Sequence, residues 1–121
     1  MMLTILELDA DNVVAIGLNG KISTEQFDQV AALVEEKLQR HEKIRIYAEI
    51  ISFGGMSINT FFKDMKLALR HWKRFDKEAV VTDKKWLQKV SEIGGKLFPG
   101  IDVRVFSTTE AETARQWVTA P

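Results

Sequence analysis

The sequence has no cysteine and only two prolines among its 121 residues. The lack of cysteine excludes disulfides, thiol nucleophiles and thiolate metal sites. No apolar run approaches the roughly 18 residues of a membrane-spanning helix, and the N-terminus lacks the layout of a signal peptide. Basic and acidic side chains number 17 each, so the chain lacks the net positive charge on which many nucleic-acid binders rely. We expect a cytoplasmic protein with no nucleic-acid partner.

Size and composition favour one domain over residues 1–121. Hydrophobic residues make up 45% of the chain and charged residues 28%, as in ordinary globular proteins. A chain of this length buries enough surface to fold without a metal or a disulfide. Charge is distributed unevenly: residues 1–60 carry 5 basic and 9 acidic side chains, whereas residues 61–121 carry 12 and 8. The basic half could be a solvated surface or could meet an acidic partner or an anionic membrane.

The first forty residues predict a hairpin followed by a helix. Residues 3–8 and 13–18 are rich in β-forming side chains and are separated by the turn residues 9–12. Ser23 and Gln26 have the spacing of a capping box. The helix then runs to about residue 39 with an apolar stripe formed by Phe27, Val30, Val34 and Leu38.

The next strand, residues 44–50, alternates strictly between its two faces. Its apolar residues are Ile44, Ile46, Ala48 and Ile50. Its other face carries Arg45, Tyr47 and Glu49. A central strand covered on both faces is usually apolar throughout. We therefore expect helices mainly on one face of the sheet, with the other face wet or only partly covered.

The rest of the chain continues to alternate helices and strands. We predict a helix from Ser57 to about residue 71, a short strand over 79–82, and a helix capped by Asp83 that extends through residue 96. A last strand over 101–106 leads to a capping box and a final helix, formed by Ser107 and Glu110 with Ala111, Ala114, Trp117 and Val118 facing inward. The order ββαβαβαβα indicates an α/β fold with a five-stranded mixed sheet, mostly parallel, and an antiparallel N-terminal edge.

Several segments of the sequence resemble the corresponding segments of one protein family. They are residues 20–23, residues 43–50 leading to Phe53-Gly54-Gly55, residues 74–86, and the tail with Phe106, Glu110, Ala111, Ala114 and Trp117. Together they resemble the SpoIIAA-like family of small bacterial proteins with the STAS fold of anti-sigma-factor antagonists. The fold of that family has been likened to CRAL-TRIO lipid-transfer domains. The resemblance implies a non-catalytic regulatory or ligand-binding domain.

The resemblance draws attention to the junction after the strand of residues 44–50. Antagonists of the wider group carry an Asp-Ser pair there, and a kinase phosphorylates the serine. Here the stretch is Gly54-Gly55-Met56-Ser57, which lacks the aspartate. Ser57 could accept a phosphate that the start of the helix would stabilise, or it could simply cap that helix. Phosphorylation at Ser57 and binding of a regulatory protein form the alternative functional hypothesis.

The residue types needed for common enzyme chemistry do not assemble into a motif. His41 and His71 belong to no metal-ligand pattern, and the sequence has no Walker loop, nucleophile elbow or dinucleotide fingerprint. We expect no catalytic residues, no metal and no cofactor, and an enzyme that uses dispersed residues is the weaker, third hypothesis.

Aromatic and thioether side chains are concentrated around the glycine pair. The first functional hypothesis is a cleft for a hydrophobic or lipid-like small molecule, lined by Tyr47, Phe53, Gly54, Gly55, Met56, Phe61, Phe62, Met65 and Trp72. The same residues could instead form ordinary core or a patch that pairs two copies as a homodimer. Basic residues nearby suit an anionic headgroup or a minor peripheral membrane contact, namely Lys63, Lys66, Arg70, Lys73 and Arg74.

Overall fold

The described part of the chain is built around five strands. The computed structural model describes residues 2–20, 23–51, 74–85, 88–89 and 100–121. The strands are β1 (Met2–Leu6), β2 (Val13–Asn19), β3 (Ile44–Ile50), β4 (Phe75–Val81) and β5 (Asp102–Phe106). They lie in the order β1-β2-β3-β4-β5, with β1 antiparallel to β2 and the other neighbours parallel. The predicted α/β class and mixed sheet are confirmed.

The two helices that the structure describes over their full length begin where the sequence predicts. They are α1 (Thr24–Arg40) and α2 (Ala111–Thr119), and a 3-10 turn (Thr108–Glu110) precedes α2. Ser23 and Gln26 form the expected capping box, since each side chain accepts the other residue's backbone N–H at 3.1 Å. Ser107 and Glu110 form the second box. Within the described residues, no helix combines the length and the apolarity needed to cross a membrane.

β4 is longer than predicted. The sequence suggests a strand over 79–82, whereas the strand begins at Phe75. The first half of this strand does not look like a strand in the sequence, because the apolar run is interrupted by Asp76, Lys77 and Glu78. Lys77 and Glu78 nevertheless pair in register with both neighbouring strands. The predicted helix over 57–71, and residues 86–87 and 90–96 of the next one, lie outside the described residues.

Asp83, the predicted helix cap, binds the start of the last helical segment. Its carboxylate accepts hydrogen bonds from the backbone N–H of Thr108 at 3.0 Å and from the Thr108 hydroxyl at 2.5 Å. These bonds hold the pKa of Asp83 below its usual value. The backbone N–H of Gln88 donates to the Lys84 carbonyl, so the helical turn after β4 begins at the residue that follows Asp83. Asp83 therefore ties the end of β4 to the start of the last helical segment.

The sheet has a different core on each face. On the face that we call the α1 face, α1 packs against a cluster of Val14, Val34, Leu38, Ile44, Ile46, Phe75 and Ile101. On the opposite face, the α2 face, α2 packs against a cluster of Val13, Ala15, Tyr47, Ala79, Val81, Ala114 and Val118. The two described helices thus lie on opposite faces of the sheet.

The face that the sequence predicts to be wet or only partly covered is covered at Arg45 and Tyr47 of β3. Tyr47 is 0% exposed and Arg45 9% exposed, because α2 and the residues after it cover them. Long polar side chains can be buried when their polar ends find partners and their stems pack on apolar neighbours. The alternation of β3 therefore separates two cores, not a core and a solvated surface.

Candidate functional site

The carboxyl ends of the four parallel strands meet at one edge of the sheet, where ligands of open α/β sheets commonly bind. Gly20 follows β2 with a φ of 90°, a backbone conformation that L side chains rarely adopt. Ile51 follows β3, and its N–H donates to the Leu18 carbonyl at 2.9 Å. Its side chain is 60% exposed. Thus a fixed backbone presents a large apolar side chain just before residue 53.

Of the predicted ligand-binding residues, Tyr47 is the one that the structure describes. The others lie outside the described residues, namely Phe53, Gly54, Gly55, Met56, Phe61, Phe62, Met65 and Trp72, as does the predicted phosphorylation site, Ser57. Tyr47 lies on the α2 face and is 0% exposed. The cleft and the phosphorylation site remain predictions.

Tyr47, Glu49 and Arg115 form one hydrogen-bonded group, which we call the Tyr47 cluster. The Tyr47 hydroxyl donates to Glu49 Oε1. Arg115 donates from Nε to the Tyr47 oxygen at 3.3 Å and from a terminal nitrogen to Glu49 Oε1 at 2.9 Å. Its guanidinium also lies 5.6 Å from the centre of the Tyr47 ring, within range of a cation–π contact. The cluster joins the centre of β3 to α2.

The Tyr47 cluster stabilises the protonated phenol. Burial, followed by the hydrogen bond to Glu49, raises the pKa of Tyr47 to about 12, although Arg115 acts in the opposite direction. Hydrogen bonds to Tyr47 and Glu49 raise the pKa of the Arg115 guanidinium. At neutral pH the cluster thus holds a neutral phenol between a cation and a carboxylate. Tyr47 in this state donates a hydrogen bond and does not act as a base.

Arg45 anchors the end of α2 to the sheet. Its Nε donates to the Asp76 carboxylate at 3.2 Å, and one terminal nitrogen donates to the carbonyls of Val118, at 2.9 Å, and Ala120. Lys77 adds a bond from Nζ to the Trp117 carbonyl at 3.2 Å. The last carbonyls of a helix have no partner within the helix, and nearby cations are favourable there. Arg45 and Lys77 supply these carbonyls with hydrogen-bond donors and with positive charge.

Trp117 adds aromatic contacts on the α2 face. Its ring lies 5.2 Å from Lys77 Nζ and 4.8 Å from the Arg104 guanidinium, both measured to the ring centre. The ring of Phe106 lies 5.9 Å away and is tilted by 47°. Cations near aromatic faces are attracted by the ring quadrupole. Polar side chains of β4 and β5 thus pack on α2 through their contacts with one indole ring.

Glu78 is the most unusual carboxylate of the α1 face. It lies opposite Ile46 on one side and Val103 on the other, both members of the apolar layer against α1. The residue keeps some solvent exposure, but the protein surrounds its carboxyl closely enough that burial raises its pKa to about 7. Glu78 can therefore change its charge near neutral pH.

No sequence motif marks Arg115, Asp76 or Glu78 as functional. Arg115 is one of several polar residues on α2, and only the packing of α2 on β3 brings it to Tyr47. The charged start of β4 is a signal that could have been followed, because a polar stretch inside a parallel strand requires partners for its side chains. Among the described residues, no group of three or more histidine and carboxylate side chains is placed to hold a metal.

Comparisons with known proteins identify the same fold. The model of the family described as SpoIIAA-like matches residues 13–119. A crystal structure of an uncharacterised protein from the DUF3478 family with a SpoIIAA-like fold, from Shewanella loihica PV-4, has a TM-score of 0.71. That protein is 23% identical, and the match covers 97% of this chain and 92% of the other. None of the curated proteins is similar enough to count as a match.

Proposed function

The chain belongs to the SpoIIAA-like family, and from that premise we propose that it is a non-catalytic regulatory domain of STAS type that binds a partner protein at the carboxyl end of β3. The family match and the SpoIIAA-like fold support the regulatory class. The finer proposal places the contact surface at Ile51 and the residues that follow it, including Ser57 as the position of a phosphate switch.

The observation that carries this proposal is the exposure of Ile51. This side chain is 60% exposed at the end of the central strand, whereas the neighbouring polar side chains of β3 are occupied within the fold. Arg45 holds the end of α2, and Tyr47 holds Arg115 and Glu49. An exposed apolar side chain on a rigid strand end is suited to contact a partner, since little conformational entropy is lost on binding.

The test compares wild-type protein with Ile51→Asp and Ser57→Asp as bait in cells that naturally express the chain, with chemical cross-linking before purification. We expect a partner protein that wild type and Ser57→Ala retain and that both aspartate variants lose at least tenfold. Thr113→Asp is the matched control, because it adds the same charge at an exposed position of α2 and should retain the partner. Equal recovery of all proteins by wild type and Ile51→Asp would reject the contact surface.

A hydrophobic or lipid-like small molecule is the second candidate occupant of this end of the sheet. The exposed apolar side chain of Ile51, next to the predicted aromatic and methionine residues, favours it. On the α2 face, by contrast, the side chain of Tyr47 is 0% exposed and contacts Glu49 and Arg115. Delipidated protein incubated with bacterial lipid extract should show a defined adduct by native mass spectrometry. Wild type without any adduct, and Phe62→Ala and Met65→Ala behaving identically, would reject this candidate.

A further inference from the structure

The two edges of the sheet differ in charge. The edge strand β5 carries Asp102 and Arg104, whose side chains are 51% and 55% exposed. The edge strand β1 has no charged residue between Met2 and Leu6, and Ile5 is 45% exposed. Unpaired backbone groups of an edge strand pair readily with another strand unless charges, prolines or bulges prevent it. β5 has such protection, whereas β1 has none.

The hydrogen bonds between β2 and β3 show which way the backbone of β2 points. Arg45 N–H donates to the Asn12 carbonyl and Ile51 N–H to the Leu18 carbonyl, each at 2.9 Å. Backbone groups of a strand point alternately to its two neighbours. The even-numbered residues of β2 therefore face β3, and the odd-numbered residues face β1.

This alternation determines the free groups of β1. Gly17 is an odd-numbered residue of β2 and pairs with Thr4, so the Thr4 backbone is directed at β2. The backbone N–H and carbonyl groups of Leu3 and Ile5 then point away from the sheet. Among the described residues no strand pairs with this side of β1, so Ile5 presents these backbone groups together with an exposed apolar side chain.

We propose that β1 is the site at which a second copy of this chain binds, in antiparallel pairing about a two-fold axis at Thr4. In this register Leu3 exchanges backbone hydrogen bonds with the partner's Ile5, and Ile5 does the same with the partner's Leu3. The edge is self-complementary, as closed two-fold pairing requires. β1 carries no charged side chain that would repel the β1 of the partner, and the pairing joins the two sheets into one continuous sheet.

A disulfide trap tests this register directly. Thr4 lies opposite the partner's Thr4 as a non-hydrogen-bonded pair, in which Cα atoms are about 4.5 Å apart. That separation falls within the range of a disulfide, roughly 4.4–6.8 Å. The chain has no cysteine of its own, so Thr4→Cys should form a covalent dimer under mild oxidation, and reductant should reverse it. Thr113→Cys, exposed on α2, should stay monomeric in the denaturing gel.

Sedimentation velocity tests the interface without a covalent link. Wild type should sediment at twice the monomer mass of 13.8 kDa, and folded Ile5→Lys at the monomer mass. Ile51→Lys, the same change at the other exposed isoleucine, should remain dimeric. The proposal is overturned if wild type is monomeric at every concentration, or if folded Ile5→Lys remains dimeric. Should Ile5→Lys fail to fold, the Thr4→Cys result decides, and the absence of a cross-link overturns the proposal.

Discussion

The two faces of the sheet are stabilised by different interactions. On the α1 face, α1 contributes Val34 and Leu38 to a cluster of aliphatic and aromatic side chains. On the α2 face, the apolar contacts of Ala114 and Val118 are joined by hydrogen bonds from the sheet, above all from Arg45. A helix of nine residues has a small apolar stripe. Polar side chains that bind its carbonyl end therefore supply part of its attachment.

β3 serves both faces through alternate residues. Ile44 and Ile46 face α1, whereas Arg45 and Tyr47 face α2. Apolar packing depends on shape and buried area, whereas the hydrogen bonds also depend on the protonation state of their partners. The two faces should therefore respond differently to truncation, to loss of a guanidinium and to pH.

The largest effect is expected from truncation on the α1 face. Ile44 is 0% exposed, and Ile44→Ala should lower the free energy of unfolding by about 3 kcal/mol, since it removes buried methyl groups and leaves a cavity. Urea unfolding followed by circular dichroism measures this loss. Ile51→Ala, at a residue 60% exposed, should change stability by less than about 0.5 kcal/mol. Equal losses in the two variants would contradict the assignment of the α1 core.

Loss of Arg45 should detach α2 selectively. Arg45→Met keeps much of the packing volume but leaves Asp76 and the carbonyls of Val118 and Ala120 without their donor. We expect a loss of about 2 kcal/mol, because partly buried polar groups lose their partner. Hydrogen exchange should accelerate in α2 more than in α1. Arg45→Lys should recover only part of the lost stability, since lysine lacks the planar guanidinium that donates in several directions. Equal acceleration of exchange in both helices would contradict the proposed difference between the two faces.

Glu78 should make the α1 face sensitive to pH. Its pKa in the fold is about 7, above the ordinary value of 4.5, so the folded protein holds this proton more tightly than the unfolded chain does. The stability that it contributes is present below pH 4.5 and is lost as pH rises through 7. Glu78→Gln should therefore stabilise the protein at pH 8 by about 2 kcal/mol, reduced for remaining solvent exposure, and change little at pH 4. An identical effect at both pH values would show that this carboxyl titrates normally.

The smallest effect is expected from the Tyr47 hydroxyl. Tyr47→Phe should cost about 1 kcal/mol for one hydrogen-bonded group. Tyr47 is the single tyrosine of the chain, so ultraviolet absorbance titrates it alone, with Tyr47→Phe as the blank. Its pKa should be about 12, so its contribution to stability is lost as pH rises from 10 through 12.

Two further variants test the causes of that shift. Glu49→Gln should lower the pKa of Tyr47, because it removes the negative charge beside the phenol. Arg115→Gln should raise it, because it removes the positive charge. A pKa near 10 in wild type would mean that solvent reaches the phenol.

Much of the fold could be predicted because its signals are local. The capping boxes at Ser23 and Ser107 depend on residues three apart, and the strand of residues 44–50 is a strict alternation. The inward residues of the last helix, Ala114 and Val118, were also predicted correctly, since both are 0% exposed. Such features involve neighbours along the chain, whose geometry the backbone already determines.

The candidate site was less predictable, because its contacts join distant parts of the chain. Arg45 and the carbonyl of Val118 are 73 residues apart, and Arg115 and Tyr47 are 68 apart. The sequence shows that Arg45 and Tyr47 share a face of β3 but not what covers that face. The same pattern of polar residues would fit a face that is exposed to solvent, a face that binds a ligand, or a face that is covered by a helix with hydrogen-bond donors and acceptors.

The amino-acid sequence by itself determined the order of the described strands, the starts of the two described helices and the alternation of β3, because periodicity and capping act over a few residues. Only the tertiary structure decided that α2 closes the polar face of β3, that Asp83 binds Thr108, and that Glu78 lies within an apolar layer. Those outcomes depend on which surfaces the chain brings together, and burial then sets the strength of each hydrogen bond and the pKa of each carboxyl.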